Sequence, residues 1–153
     1  MKILDIVIMI NSGFSKITCN TLPASSRYKV LKFNNILNKA FETIQSIEKS
    51  LLEASGIQDM QQMESDIKKL EDCKSRTKEE DEKYQELIEK RKQYLDVRAE
   101  MLNDELTLND IGTISYEDWY LLRQENRPNE DKEIITNYIE DALKGVFWVE
   151  PDE

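Results

Sequence analysis

Apolar residues recur along residues 30–54 at Val30, Phe33, Leu37, Ala40, Ile44, Ile47, Leu51 and Ala54, in alternating steps of three and four. A period of 3.5 predicts a helix with a narrow apolar seam that winds against another helix. Thr21-Leu22-Pro23 opens it, since proline suits the first helical position, and Ser55-Gly56 closes it, since glycine accepts the left-handed cap conformation. A second helix restarts after Asp59 with Met60, Met63, Ile67 and Leu70. Residues 71–83, EDCKSRTKEEDEK, hold almost nothing apolar and predict a solvated hairpin tip or a charged stretch of helix. The rhythm resumes at Tyr84, Leu87/Ile88, Tyr94/Leu95 and Met101/Leu102, with the stems of Arg91 and Arg98 completing a wide stripe. The expected packing is antiparallel, residues 30–54 against residues 84–102, with residues 60–83 as the far end of the hairpin. A parallel homodimer through Val30–Ala54 is the alternative use of the same seam.

The two ends of the chain have a different texture. Residues 2–10 are β-branched and apolar, which predicts a short buried strand ended by Asn11-Ser12-Gly13, with Asn11 or Ser12 capping a short helix through Cys19. Residues 105–108 and 113–115 read as extended around an Asn109–Gly112 turn, as in a small hairpin. Ser115 and Asp118 form an S-x-x-D capping box that opens a helix through YEDWYLLRQE, broken at Asn126-Arg127-Pro128-Asn129. Ile134, Ile135, Tyr138, Ile139, Ala142 and Leu143 form a second amphipathic stripe closed by Lys144 and Gly145. Residues 146–149, VFWV, predict a strand that pairs with residues 2–10. The fold class is therefore mainly α: an antiparallel coiled-coil helical hairpin with short N- and C-terminal strands forming a small base. The expected organisation is a single domain over 1–153, with the hairpin at 23–103 and an acidic C-terminal segment with two short helices at 104–153.

Composition agrees with a helical chain of thin core: 34 % of residues are charged, and four Gly and three Pro are too few for an all-β fold. The net charge of −10 is graded, +3 over residues 1–58, −3 over 59–103 and −10 over 104–153. An acidic whole disfavours sequence-independent nucleic-acid binding, which depends on neutralising phosphates. The gradient suits head-to-tail self-association or a basic partner, and acidic surface also serves solubility.

The chain contains no histidine, and Cys19 and Cys73 are isolated, which removes Cys/His zinc sites and His-assisted nucleophiles. Glycines are singletons, so there is no phosphate loop, and the carboxylate clusters lie in the most polar stretches, where a catalytic pKa shift is not expected. LNDIG lacks the ligand pattern of a calcium loop and reads as a turn. Asp5 interrupts the apolar N-terminal run, which argues against a signal peptide, and no window is apolar enough for a membrane span. The expected location is cytoplasmic, in a host cell or in a virion. The expected state is one without cofactor, metal or small-molecule substrate.

Candidate contacts for a partner are the basic residues Arg27, Lys29 and Lys32, beside Tyr28, and the aromatic residues Trp119, Tyr120 and Trp148. Basic residues on a helix also serve as a solvated face, and aromatics in a thin core also serve as that core. Ser26-Arg27 at the start of the long helix and LTLNDIGTISYEDWYLL after the charged hairpin resemble the layout of small uncharacterised proteins of tailed phages. That resemblance implies a viral setting and no catalytic residues. A helical hairpin on a small base also resembles prefoldin, which would imply a chaperone-like holdase. The sequence thus predicts a non-enzymatic interaction or assembly protein that contacts a protein partner or itself. A carboxylate-metal enzyme is the remaining alternative.

Overall fold

Seam residues that look alike in the sequence are divided between two cores. The computed structural model describes residues 1–127 and 133–151. Among these are helices α1 (Ile3–Ser12), α2 (Ala24–Ala54), α3 (Met60–Glu71), α4 (Lys78–Asn103), α5 (Tyr116–Glu125) and α6 (Asn137–Leu143). A 3-10 turn spans Phe14–Lys16, and strands β1 (Ile114–Ser115) and β2 (Trp148–Val149) form a two-stranded parallel sheet. The protein is mainly helical. The chain divides into two compact units, Met1–Thr43 with Asp104–Glu153, and Ile44–Asn103, with α2 running through the division.

In the first unit the core is a run of five rings. Phe14 meets Phe33 edge-on at 6.0 Å, and Phe33 stacks on Phe147 at 4.5 Å. Phe147 then stands edge-on to Trp119 at 6.2 Å, and Trp119 lies parallel to Trp148 at 6.0 Å. Phe33 is therefore a partner of the chain ends, which corrects the expectation that all of residues 30–54 pairs with residues 84–102. Phe14 and Phe147 enclose the Phe33 ring with apolar surface, whereas the α4 stripe is interrupted by Arg91 and Arg98.

The N-terminal strand is also corrected. Residues 3–12 form α1, which buries Ile3, Ile6 and Met9 at helical spacing. Packing of one helical face overrides β-propensity here. Asp5 lies in the favourable first turn, and Gly13 closes the helix in the left-handed conformation, with φ 94°. The predicted helix through Cys19 shrinks to the 3-10 turn, and Ser12 ends α1 by donating to the Met9 carbonyl at 2.8 Å.

The predicted strand at 146–149 is confined to Trp148–Val149. It pairs with β1, as Ile114 with Trp148 and Ser115 with Val149, rather than with residues 2–10. The N-terminus instead meets the linker through an antiparallel Lys2–Glu105 bridge and a 2.8 Å bond from the Leu106 N–H to the Met1 carbonyl. Among the described residues no ladder joins residues 105–108 to 113–115 as the predicted hairpin would: Glu105 bridges to Lys2, and β1 pairs with β2.

In the second unit, Met63 and Ile67 of α3 cluster with Ile57 and with Leu87 and Tyr94 of α4, flanked by Leu51 and Leu52 from the end of α2. Glu64 holds Arg91 at 3.0 Å and Glu48 holds Arg98 at 2.9 Å, so the arginines in the α4 stripe meet carboxylates. The charged 71–83 run is a turn and a helix start. Thr77 Oγ1 accepts from the Glu80 N–H at 3.1 Å, and Glu80 Oε1 accepts from the Thr77 N–H at 3.2 Å, a complete capping box.

The α2–α3 turn is made at Gly56, whose φ is 72°. Its N–H donates to the Glu53 carbonyl at 3.0 Å and that of Ile57 to the Leu52 carbonyl at 2.9 Å, while Asp59 caps α3. A side chain in that conformation is strained. Gly56→Ala is expected to cost about 1 kcal/mol, read as a lower urea midpoint for the loss of helical circular dichroism.

Candidate functional site

Helix α5 is fixed by what it buries. Ser115 caps it by accepting from the Asp118 N–H at 3.2 Å, and the Asp118 carboxylate accepts the hydroxyl of Ser26 on α2. Trp119 is fully enclosed, and Leu122, one turn on, is buried with it. The Trp119 indole donates to Glu140 Oε1 at 2.9 Å and the Trp148 indole to the Glu140 carbonyl at 2.8 Å, so one residue of α6 satisfies both. Arg123 supports the same carboxylate at 3.1 Å.

With Trp119 and Leu122 turned inward, 100° per residue puts Glu117, Tyr120 and Leu121 on the opposite face. Tyr116 stands at the margin, its ring 5.4 Å from that of Trp148. Tyr116, Tyr120 and Leu121 are exposed and, with Glu117, line a shallow depression of about 510 Å³. An adjoining depression of about 290 Å³ is lined by Ser115, Tyr116 and Glu117 with the exposed Val149, Glu150 and Pro151. The Glu150 carboxylate holds Lys144 at 2.8 Å and raises the pKa of that ammonium.

The six candidate contact residues separate. Trp119 and Trp148 are buried and correct the expectation of a partner contact there: their role is core. Tyr120 is 51 % exposed and belongs to the depression. Arg27 is turned onto the preceding loop, donating to the Asn20 carbonyl at 2.8 Å and the Leu22 carbonyl at 3.2 Å. Lys29 donates to the Thr113 carbonyl at 3.0 Å. Lys32 is exposed. The structure therefore does not gather these residues into one site. Tyr116, Leu121 and Val149 were not signalled by composition. The Trp119–Leu122 spacing implies an outward Leu121, but only the β1–β2 pairing brings Val149 to that face.

The carboxylate with the largest electrostatic perturbation is structural. Glu125 accepts from the N–H groups of Asn20 at 2.9 Å and Thr21 at 2.6 Å. Desolvation pushes its pKa up, but hydrogen bonds from Thr18, Thr21 and Asn20 together outweigh this and hold it at about 2. Partial burial raises the pKa of the nearby Cys19 thiol, against the pull of Arg27, which leaves it a protonated core group rather than a nucleophile.

In the unfolded chain Glu125 takes its proton near 4.5, and in the folded chain only near 2. Its contribution is thus complete above pH 4.5 and is lost as pH falls from there toward 2. Allowing for solvent screening at this half-exposed site, the loss is about 1 kcal/mol. Glu125→Gln is expected to lower the urea midpoint at neutral pH and to flatten its fall in acid by that amount.

No family model, curated protein or solved structure matches the chain. No helix of the described residues is long and apolar enough to cross a membrane.

Proposed function

We propose that the protein is a non-enzymatic interaction or assembly component that binds another protein chain through the outward face of α5 and β2. In this reading residues 44–103 act as an antiparallel coiled-coil hairpin with a charged exterior, and the setting is that of a phage, as the resemblance of layout implies. One observation carries the proposal: Tyr116, Tyr120, Leu121 and Val149 are left exposed around two adjoining depressions that share Tyr116 and Glu117. Large apolar groups scattered singly over a surface need no explanation, whereas a contiguous group of them is typical of a docking surface. Tyrosines add area with little rotamer entropy to lose. The holdase alternative draws less support, because Asp72–Thr77 at the α3–α4 turn is polar.

A photo-reactive amino acid placed at position 120 in cells that make the protein tests this. The expected result is a covalent adduct with a defined protein chain, absent when the same group replaces Glu82 in the charged run of α4. Equal labelling from both positions, or none from 120, contradicts it.

A further inference from the structure

Tyr28 and Leu31 are 65 % and 57 % exposed, the highest values among the exposed large apolar side chains, and they lie one turn apart on α2. Val30, Phe33 and Leu37 fix the buried face of that helix, and Tyr28, Leu31 and Lys32 project from the opposite one. Among the described residues Lys32 has no ion-pair partner, whereas Arg27 is turned away onto the Asn20 and Leu22 carbonyls. The α5–β2 face offers matching groups. It presents tyrosine and leucine to tyrosine and leucine, and Glu117, without an ion-pair partner among the described residues, stands beside it as Lys32 stands beside the ridge. Opposite charges around matched apolar centres select a partner and its register.

Resting on the docking role assigned above to α5 and β2, we infer that the occupant of this face is the Tyr28–Leu31 ridge of a second copy of the chain. The ridge of one molecule meets a different surface of the next, so the contact is heterologous. Successive copies add head to tail and form a ring or an open chain. The charge gradient along the sequence has the same polarity, basic toward the N-terminal third and acidic toward the C-terminal third.

The test uses sedimentation velocity on the full chain, from about 10 μM to 1 mM, the range of weak protein contacts. The wild-type mass is expected to rise with concentration, and less so in high salt. Leu31→Asp and Tyr120→Asp should each remain at the mass of one chain, a weakening of at least tenfold. An equimolar mixture should form a two-chain species and nothing larger, because each variant retains the surface that the other has lost. Should either variant lose its helical circular dichroism, charge exchange replaces it. Lys32→Glu and Glu117→Lys should each weaken assembly, and the two together in one chain should restore it.

Three results overturn the inference: wild type at the mass of one chain throughout, single variants that assemble like wild type, or a mixture that gains no two-chain species. A one-chain wild type that still crosslinks through position 120 to a different protein overturns self-association and leaves the docking role intact.

Discussion

Phe33→Ala is expected to destabilise the first unit by about 4 kcal/mol, the cost of a buried aromatic lost together with the cavity it leaves. The ring is enclosed, stacked on Phe147 at 4.5 Å and met edge-on by Phe14 at 6.0 Å, so its neighbours come from both ends of the chain. Both tryptophans, Trp119 and Trp148, belong to this unit, so urea denaturation followed by their fluorescence reads it selectively. Leu31→Ala, two residues away on the solvent side of α2, is expected to change the same transition by less than about 0.5 kcal/mol. A similar loss from both would show that the division of faces on α2 is wrong.

Asn126→Leu is expected to cost about 3 kcal/mol, although it exchanges a polar side chain for an apolar one in a buried place. The Asn126 amide behaves as a strand partner for Thr18. Its Oδ1 accepts the Thr18 N–H at 2.9 Å, and its Nδ2 donates to the Thr18 carbonyl at 2.7 Å and the Leu122 carbonyl at 2.8 Å. Leucine would remove the partners of the part-buried Thr18 N–H and carbonyl and of the buried Leu122 contact, and an unsatisfied group costs about 1–3 kcal/mol when it is buried. The same fluorescence transition reads the loss. A stabilised variant would mean that the segment from Thr18 to Thr21 finds water or other partners once released.

Local rules made some of this legible in the sequence, and spatial ones kept the rest hidden. The seam of α2 and its glycine end, the Asp59 restart and the Ser115–Asp118 cap all follow from spacing within a few residues. So does the Lys144–Gly145 close. Periodicity states which face of a helix is apolar but not what covers it. Val30 and Ile44 therefore look equivalent although α2 serves two units. The β-branched run at residues 3–10 gives an apolar signal without a period, and packing decided for helix. The Thr77–Glu80 capping box was present in the letters but masked by the charge around it. In the candidate site, Trp119 and Tyr120 are adjacent in the sequence and read alike as an aromatic pair. Neighbours on a helix differ by 100° in direction, so one of them became core and the other surface. Val149 joins Tyr116 only through the parallel pairing of β1 with β2, which no local pattern announces.

Hydroxyl-radical footprinting of dilute protein tests most directly the claim that the tryptophans build the core and leave the tyrosines outside for contact. Trp119 and Trp148 are expected to be shielded many-fold relative to the urea-unfolded chain, while Tyr28 and Tyr120 oxidise at close to their unfolded rates. Fast oxidation of Trp119 beside a shielded Tyr120 would contradict it.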